Sequence, residues 1–210
     1  MKPGFAGFCG VLVGEFVQDC TDMDIPLGER VELVAPLTRI RLLAMDVDGV
    51  LTDGTLDYDR QGGARKRFHT ADGLGLVVLA QMGVSIAWIT GRADTVVERR
   101  ATELGVGHLI QNVRDKGKAL ERLSASLHVT RAEVAYIGDD WNDLPAFAVA
   151  GVRLAVANAA IEVKQRADAV TLAFGGAGAV REVCAAILKA RGLQVQSLEI
   201  YLASLCEPED

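Results

Sequence analysis

The chain has 210 residues, half of them hydrophobic and 24% charged, which suits one globular domain with an extension and excludes wholesale disorder. Lys and Arg number 22 against 28 Asp and Glu, a net charge of −6, so there is no general attraction for nucleic acid or an anionic membrane. With 5% aromatic residues, too few for a base-stacking platform, a small-molecule enzyme or a binding module remains.

Residues 1–38 lack sustained periodicity and hold three of the five prolines (Pro3, Pro26, Pro36), which predicts a loosely structured N-terminal extension. Phe5–Val17 is apolar, but Gly7, Gly10, Gly14 and Glu15 interrupt it and no small-x-small site follows, so it is a poor export signal. Cys9, Cys20, Cys184 and Cys206 form no C-x-x-C pair and have no histidine at zinc-ligand spacing. A staple between the chain ends is one reading of them. Free thiols in a reducing cytoplasm is the reading adopted, and with it a cytoplasmic location.

The main domain is expected over 39–192, with 193–210 as a C-terminal tail. Arg41–Val47 is a short apolar run of the kind buried on both faces of a parallel sheet. Thr55–Tyr58 and Ala64–His69 flank Gln61-Gly62-Gly63, the pattern of a hairpin. Leu74, Val77, Val78 and Gln81 mark a helical stripe ending near Gly83, and Val84–Ile89 reads as a strand. The uncharged stretch from Gly73 to Gly91 is therefore a buried helix and a buried strand rather than a membrane span. Val97, Ala101 and Leu104 predict a helix stopped by Gly105. A short strand at His108–Gln111 and a stripe of Leu120, Leu123 and Leu127 follow, and Thr130-x-x-Glu133 has capping-box spacing. Val134–Ile137 and Val152–Val156 read as strands, Leu144–Val149 and Ala177–Ala190 as helices. Strands alternating with helices predict an α/β fold, a three-layer Rossmann-like parallel sheet with helices on both faces and a small β-hairpin insertion.

Ligands of open α/β sheets bind at the carboxyl ends of the strands. The first strand ends Asp46-Val-Asp48-Gly, another Thr90-Gly-Arg92, and a third Gly138-Asp139-Asp140-Trp-Asn142-Asp143; Lys116 stands at a helix start between the last two. Asp46 and Asp48, two apart, project to one side. Such clustered carboxylates need a cation, and oxygen ligands suit Mg²⁺, held by Asp46 and Asp139. Asp46 could then attack phosphorus and Asp48 serve as acid and base. Thr90 and Lys116 could hold the phosphoryl oxygens. Each piece alone also has a structural reading: a strand-end carboxylate, a turn, a surface lysine. Gly176-Ala-Gly178 lacks the third glycine of a dinucleotide loop, and no P-loop, zincin or nucleophile-elbow pattern competes.

These four motifs resemble those of the haloacid dehalogenase superfamily of phosphatases. Asp53-Gly54, Phe68-His-Thr-Ala-Asp72-Gly73-Leu-Gly75, Asp143-Leu-Pro-Ala-Phe147 and Gly175–Val183 extend the likeness, over roughly residues 40–190, to a capless subclass of it. Within that subclass the resemblance implies 3-deoxy-D-manno-octulosonate 8-phosphate, a precursor for lipopolysaccharide, as the substrate. The resemblance implies a Mg²⁺-dependent phosphatase with Asp46 as nucleophile and metal ligand. It implies Asp48 as acid/base with its carbonyl on the metal, Asp139 as the third ligand, and catalytic roles for Thr90 and Lys116. Implied substrate contacts are Asp48, His69, Thr70, Ala71, Asp72, Gly73, Arg92, Arg100 and Lys116.

At Val77 and Ala71 the chain departs from a pattern in which basic residues are frequent. Lys66 and Arg67 could compensate, or could be two solvated charges on a hairpin. Three alternatives stand beside this reading. A related nonulosonate phosphatase typically carries an acidic residue where this chain has Arg92. A dehalogenase has no use for Asp48, and a catalytically silent binding protein has no use for the combined set. Between Asp48 and Thr90 there is no room for a cap domain, and the hairpin offers edge strands. An oligomer whose subunits close one another's sites follows, and the resemblance implies a homotetramer.

Overall fold

The computed structural model describes residues 25–58, 60 and 63–204. The expectations placed on Phe5–Val17, Cys9, Cys20 and Cys206, and the hairpin turn at Gln61-Gly62, lie outside the described residues.

Six strands form one parallel sheet: β1 (Leu42–Met45), β4 (Ser85–Ile89), β5 (His108–Ile110), β6 (Val134–Gly138), β7 (Val152–Ala155) and β8 (Ala169–Val170), in the order β5-β4-β1-β6-β7-β8. β1 and β6 are buried at every position, as strands covered on both faces must be, which is why they read as apolar runs without alternation. A separate antiparallel pair, β2 (Asp57–Tyr58) with β3 (Ala64–Arg65), is the predicted hairpin.

The helices are α1 (Val31–Thr38), α2 (Thr70–Gln81), α3 (Thr95–Glu103), α4 (Lys116–Ser126), α5 (Leu144–Val149), α6 (Ile161–Lys164), α7 (Ala179–Ala190) and α8 (Gln194–Ser204). α2 packs on α7, and α4 on α5. Gly75 makes the first contact possible, since a Cβ there would already lie 3.3 Å from the Cβ of Cys184. Gly83 (φ 80°) turns the chain from α2 into β4, so the uncharged stretch divides as predicted. No helix among the described residues is long and apolar enough to cross a membrane. The Thr130–Glu133 capping box is present, but it closes a 3₁₀ turn rather than an α-helix. Cys184 is a free, fully buried thiol whose pKa burial pushes up.

The expectation of a loosely structured extension fails for its described part. Leu33 and Leu37, four apart on α1, are buried together with Leu27, and Thr38 Oγ1 donates to the carbonyl of Ala190 at the end of α7. Pro36 and a length of eight residues hid this helix. Its stability comes from packing on α7, which periodicity over two turns barely registers. The tail likewise contains α8, held against α2 and α7.

Sheet register assembles the site. Met45 is level with Trp88 and with Ile137, so the next residues, Asp46, Ile89 and Gly138, share a level, and Thr90 and Asp139 follow one step beyond. The chain leaves β1 toward β4 and β5 and returns on the other side at β6. Asp46 thus stands at the topological switch point.

Candidate active site

At this carboxyl edge lies a cleft of about 410 Å³ lined by Asp46, Asp48, Gly54, Thr90, Gly91, Arg92, Asp139, Asp140 and Asn142. A somewhat larger groove, about 490 Å³, runs beside β5 and α4 and carries none of the motif carboxylates, its one acidic residue being the helix cap Asp115, so the chemistry belongs to the first.

Asp46 is buried; its Oδ1 accepts from the Val47 amide at 2.7 Å, and its Oδ2 lies 2.8 Å from Lys116 Nζ. Lys116, the first residue of α4, is placed by Asp115, whose carboxylate accepts from the Lys118 amide and starts the helix. The same ammonium donates to Asp143 Oδ1 at 2.7 Å. Asp143 is fully buried and surrounded by donors. Tyr136 Oη reaches Oδ1 at 2.8 Å, and the amides of Asp139 and Asp140 reach Oδ2 at 2.9 and 3.3 Å. Sequence alone gives Asp143 no task; its signal is the place as third residue after Asp140, the capping-box spacing that the structure realises.

Carboxylate oxygens of Asp46, Asp139 and Asp143 come within 4.8 Å of one another. Burial, then the facing Asp143 carboxylate, pushes Asp46 up to about 7, with Lys116 only partly opposing. Burial, then Asp143 and Asp46, pushes Asp139 up to about 8. Burial alone would lower Lys116, but Asp143 and Asp46 outweigh it and hold the ammonium charged. Lys116 thus pairs with two of the three carboxylates, and Asp139 Oδ1 is buried without a partner among the described residues. Those are the features a hard divalent cation fits: surplus negative charge and an oxygen donor already desolvated. Asp46 and Asp139 have oxygens to offer it, whereas the donors around Asp143 leave that residue the task of fixing Lys116 and the loop. The side chain of Asp48 is not part of the cluster.

Gly49 is required for this approach. It has φ 100°, and a Cβ on it would fall 2.0 Å from Asp139 Oδ2. Thr90 is buried and Arg92 exposed, its Nη2 donating to Tyr58 Oη on the hairpin at 2.5 Å.

The residues expected around α2 are not brought into this cleft. His69 and Thr70 are exposed at the start of the helix and Ala71 is half-buried. Gly73 is buried beneath Arg100 of α3, where a Cβ would meet the guanidinium at 2.5 Å. Asp72 is buried, and its carboxylate accepts from the amides of Arg181 at 2.7 Å and Gly178 at 3.3 Å, so that it caps α7. Of the two hairpin cations, Lys66 is inside the site and Arg67 outside, 86% exposed and paired with Asp53.

Residues 78–178 match the family model described as haloacid dehalogenase-like hydrolase. The chain is 44% identical over 156 residues to the 3-deoxy-D-manno-octulosonate 8-phosphate phosphatase of Haemophilus influenzae, covering 74% of this chain and 87% of that one. It belongs to that phosphatase family. The Escherichia coli K12 member is 41% identical over 161 residues, covering 77% of this chain and 86% of its own. The solved structure of the Moraxella catarrhalis member, a complex with magnesium, phosphate and the sugar acid, superposes with a TM-score of 0.77 at 42% identity, over 83% of this chain and 98% of that one. The parallel sheet with helices on both faces is thus the fold of the family as well as of the sequence reading.

Proposed function

We propose that this chain is a Mg²⁺-dependent phosphatase that hydrolyses 3-deoxy-D-manno-octulosonate 8-phosphate to the free sugar acid and phosphate, a step toward lipopolysaccharide. The observation that carries the proposal is the buried Asp46–Lys116–Asp143 chain opening on a cleft that also holds Asp48 and Asp139, in a chain 41–44% identical to phosphatases of that substrate. A bound Mg²⁺ would neutralise Asp46 and Asp139 and draw charge from the phosphoryl oxygens.

The chain's own residues do the rest. Asp46 supplies an oxygen to phosphorus, the bond from phosphorus to the sugar oxygen breaks, and Asp48 passes its proton to that oxygen. Water then attacks the aspartyl-phosphate, gives a proton to Asp48 and restores Asp46. Lys116, held by Asp143, and Thr90 stabilise the phosphoryl oxygens. Arg92 at the mouth suits an anionic sugar acid, and because nonulosonate phosphatases typically carry an acidic residue there, it favours the eight-carbon substrate.

The α2 start (His69, Thr70) and Arg100, which do not line their own chain's cleft, are proposed to serve a neighbouring subunit in a cytoplasmic homotetramer. The test is phosphate release from a panel of sugar phosphates with Mg²⁺, with EDTA, and with Asp46→Asn. Release confined to the first condition, with the octulosonate ester preferred, is expected. Activity surviving in Asp46→Asn would refute the nucleophile.

A further inference from the structure

Lys66 follows β3 on the return limb of the hairpin, yet its side chain is 1% exposed. Its ammonium donates to Asp48 Oδ1 and stands 3.6 Å from Asp94 Oδ2. Asp94 is itself held, since its Oδ1 caps α3 by accepting from the Val96 amide at 2.8 Å. Two residues beyond Lys66, the ring of Phe68 stacks on buried Trp88, centroids 6.2 Å apart and planes inclined by 12°. Extended backbone sends alternate side chains to opposite sides, so Lys66 and Phe68 go inward while Arg67 goes to solvent.

The consequence appears at Asp48, whose two carboxyl oxygens are unequal. Oδ1 is taken by Lys66, and Oδ2 is buried with no partner among the described residues, in a residue that lines the cleft. A desolvated carboxyl oxygen without a partner is costly unless something arriving at the site satisfies it.

We propose that Lys66 is a positioning residue for proton transfer: it holds Asp48 through Oδ1 and so reserves Oδ2 for the reacting oxygen. This rests on the phosphatase reading above. In the first half-reaction the proton on Oδ2 passes to the sugar oxygen as its bond to phosphorus breaks. In the second, a water proton passes to Oδ2 as the water oxygen bonds to phosphorus. Lys66 gains and loses nothing in either step and touches no reacting atom. It acts through Asp48, as the third member of a catalytic triad acts through its base.

The test is Lys66→Met, which keeps the length of the stem and removes the donor, assayed with two esters in single-turnover and steady-state modes. A sugar phosphate expels an alkoxide that needs a proton; p-nitrophenyl phosphate expels a phenolate that does not. With the sugar ester the variant should lose about tenfold or more of its single-turnover rate, part of the roughly hundredfold or more that general acid catalysis contributes, since Asp48 itself remains. With p-nitrophenyl phosphate the first turnover should stay within about threefold of wild type and then slow after a burst, because water activation also needs Asp48. Equal loss on both esters in the first turnover would overturn the proposal, as would a rise in KM with kcat intact. Thermal unfolding checks the fold. If Met leaves Asp48 and Asp94 too repulsive for folding, Lys66→Met in an Asp94→Asn background, which removes the repulsion and keeps a cap on α3, is read by the same split against Asp94→Asn alone. Wild type without Mg²⁺-dependent phosphate release would instead remove the phosphatase reading itself.

Discussion

Lys116 and Asp143 meet at 2.7 Å with neither side chain open to solvent, and the second carboxylate on that ammonium is the one proposed to attack phosphorus. Asp143 thereby sets the position of Lys116 and, through the amides of Asp139 and Asp140, the loop that carries Asp139. A single buried side chain couples the cation proposed to bind phosphate to the carboxylate proposed to bind the metal.

Asp143→Asn should therefore damage stability and activity together. The amide keeps the shape but removes a charge and turns a donor toward groups that are themselves donors. Breaking a buried pair from one side costs about 3–5 kcal/mol. Urea denaturation should show a loss of that order, and phosphate release should fall by more than the unfolded fraction explains. A stable variant with near-normal activity would show that Lys116 is held by Asp46 alone.

Most of this site was legible in the residues because it lies at strand ends, where side-chain direction follows from the strand. Asp46, Thr90, Lys116 and Asp139 needed only the parallel sheet to be brought together. Asp72 was not legible as a cap: its partners are the amides of Gly178 and Arg181, more than a hundred residues away, and nothing near it in sequence announces α7. Lys66 and Arg67 were ambiguous because two adjacent cations in a short hairpin look alike until the register of the return limb is fixed. α1 was hidden by Pro36 and by its shortness.

The second prediction follows from the raised carboxyls. Asp46 at about 7 and Asp139 at about 8 bind protons more tightly folded than unfolded, so between about pH 4 and pH 8 the native state holds the extra protons. The metal-free protein should lose stability as pH rises through that window, the reverse of an ordinary salt-bridged carboxylate. Mg²⁺ competes with those protons. Its stabilisation should be larger at pH 8 than at pH 6, and binding near pH 7 should release protons. Thermal melts with EDTA or Mg²⁺ at the two pH values, and calorimetry in buffers of different ionisation enthalpy, measure both effects. A metal-free protein that gains stability from pH 5 to pH 8 would contradict the clustered site.

Gly49→Ala is the third. The positive φ disfavours a side chain, and the added methyl would fall on Asp139 Oδ2. Relief requires Asp139 to leave the place where it faces Asp46, so Mg²⁺ affinity should drop more than stability does. A Mg²⁺ titration of activity beside a thermal melt separates the two. Unchanged metal dependence would mean that Asp139 is not a ligand.

The last prediction concerns assembly. Apolar side chains are left partly open on the surface: Leu56 is 39% exposed, Phe174 59%, and Tyr58, which bonds the cleft residue Arg92, 53%. β2 and β3 pair only with each other in the described sheet, and a two-stranded ribbon of this length is marginal in isolation. A site open to bulk water cannot discriminate well among phosphate esters, yet His69, Thr70 and Arg100 lie away from their own chain's cleft. Association of hairpins answers these needs together: it covers these side chains, extends the ribbon and carries one subunit's α2 toward another's cleft. Light scattering should give about four subunits. Phe174→Asp, at a residue that does not line the cleft, should dissociate them, leave p-nitrophenyl phosphate hydrolysis largely intact and lower kcat/KM for the sugar ester selectively. A wild-type monomer that already prefers the sugar ester would show that each chain closes its own site.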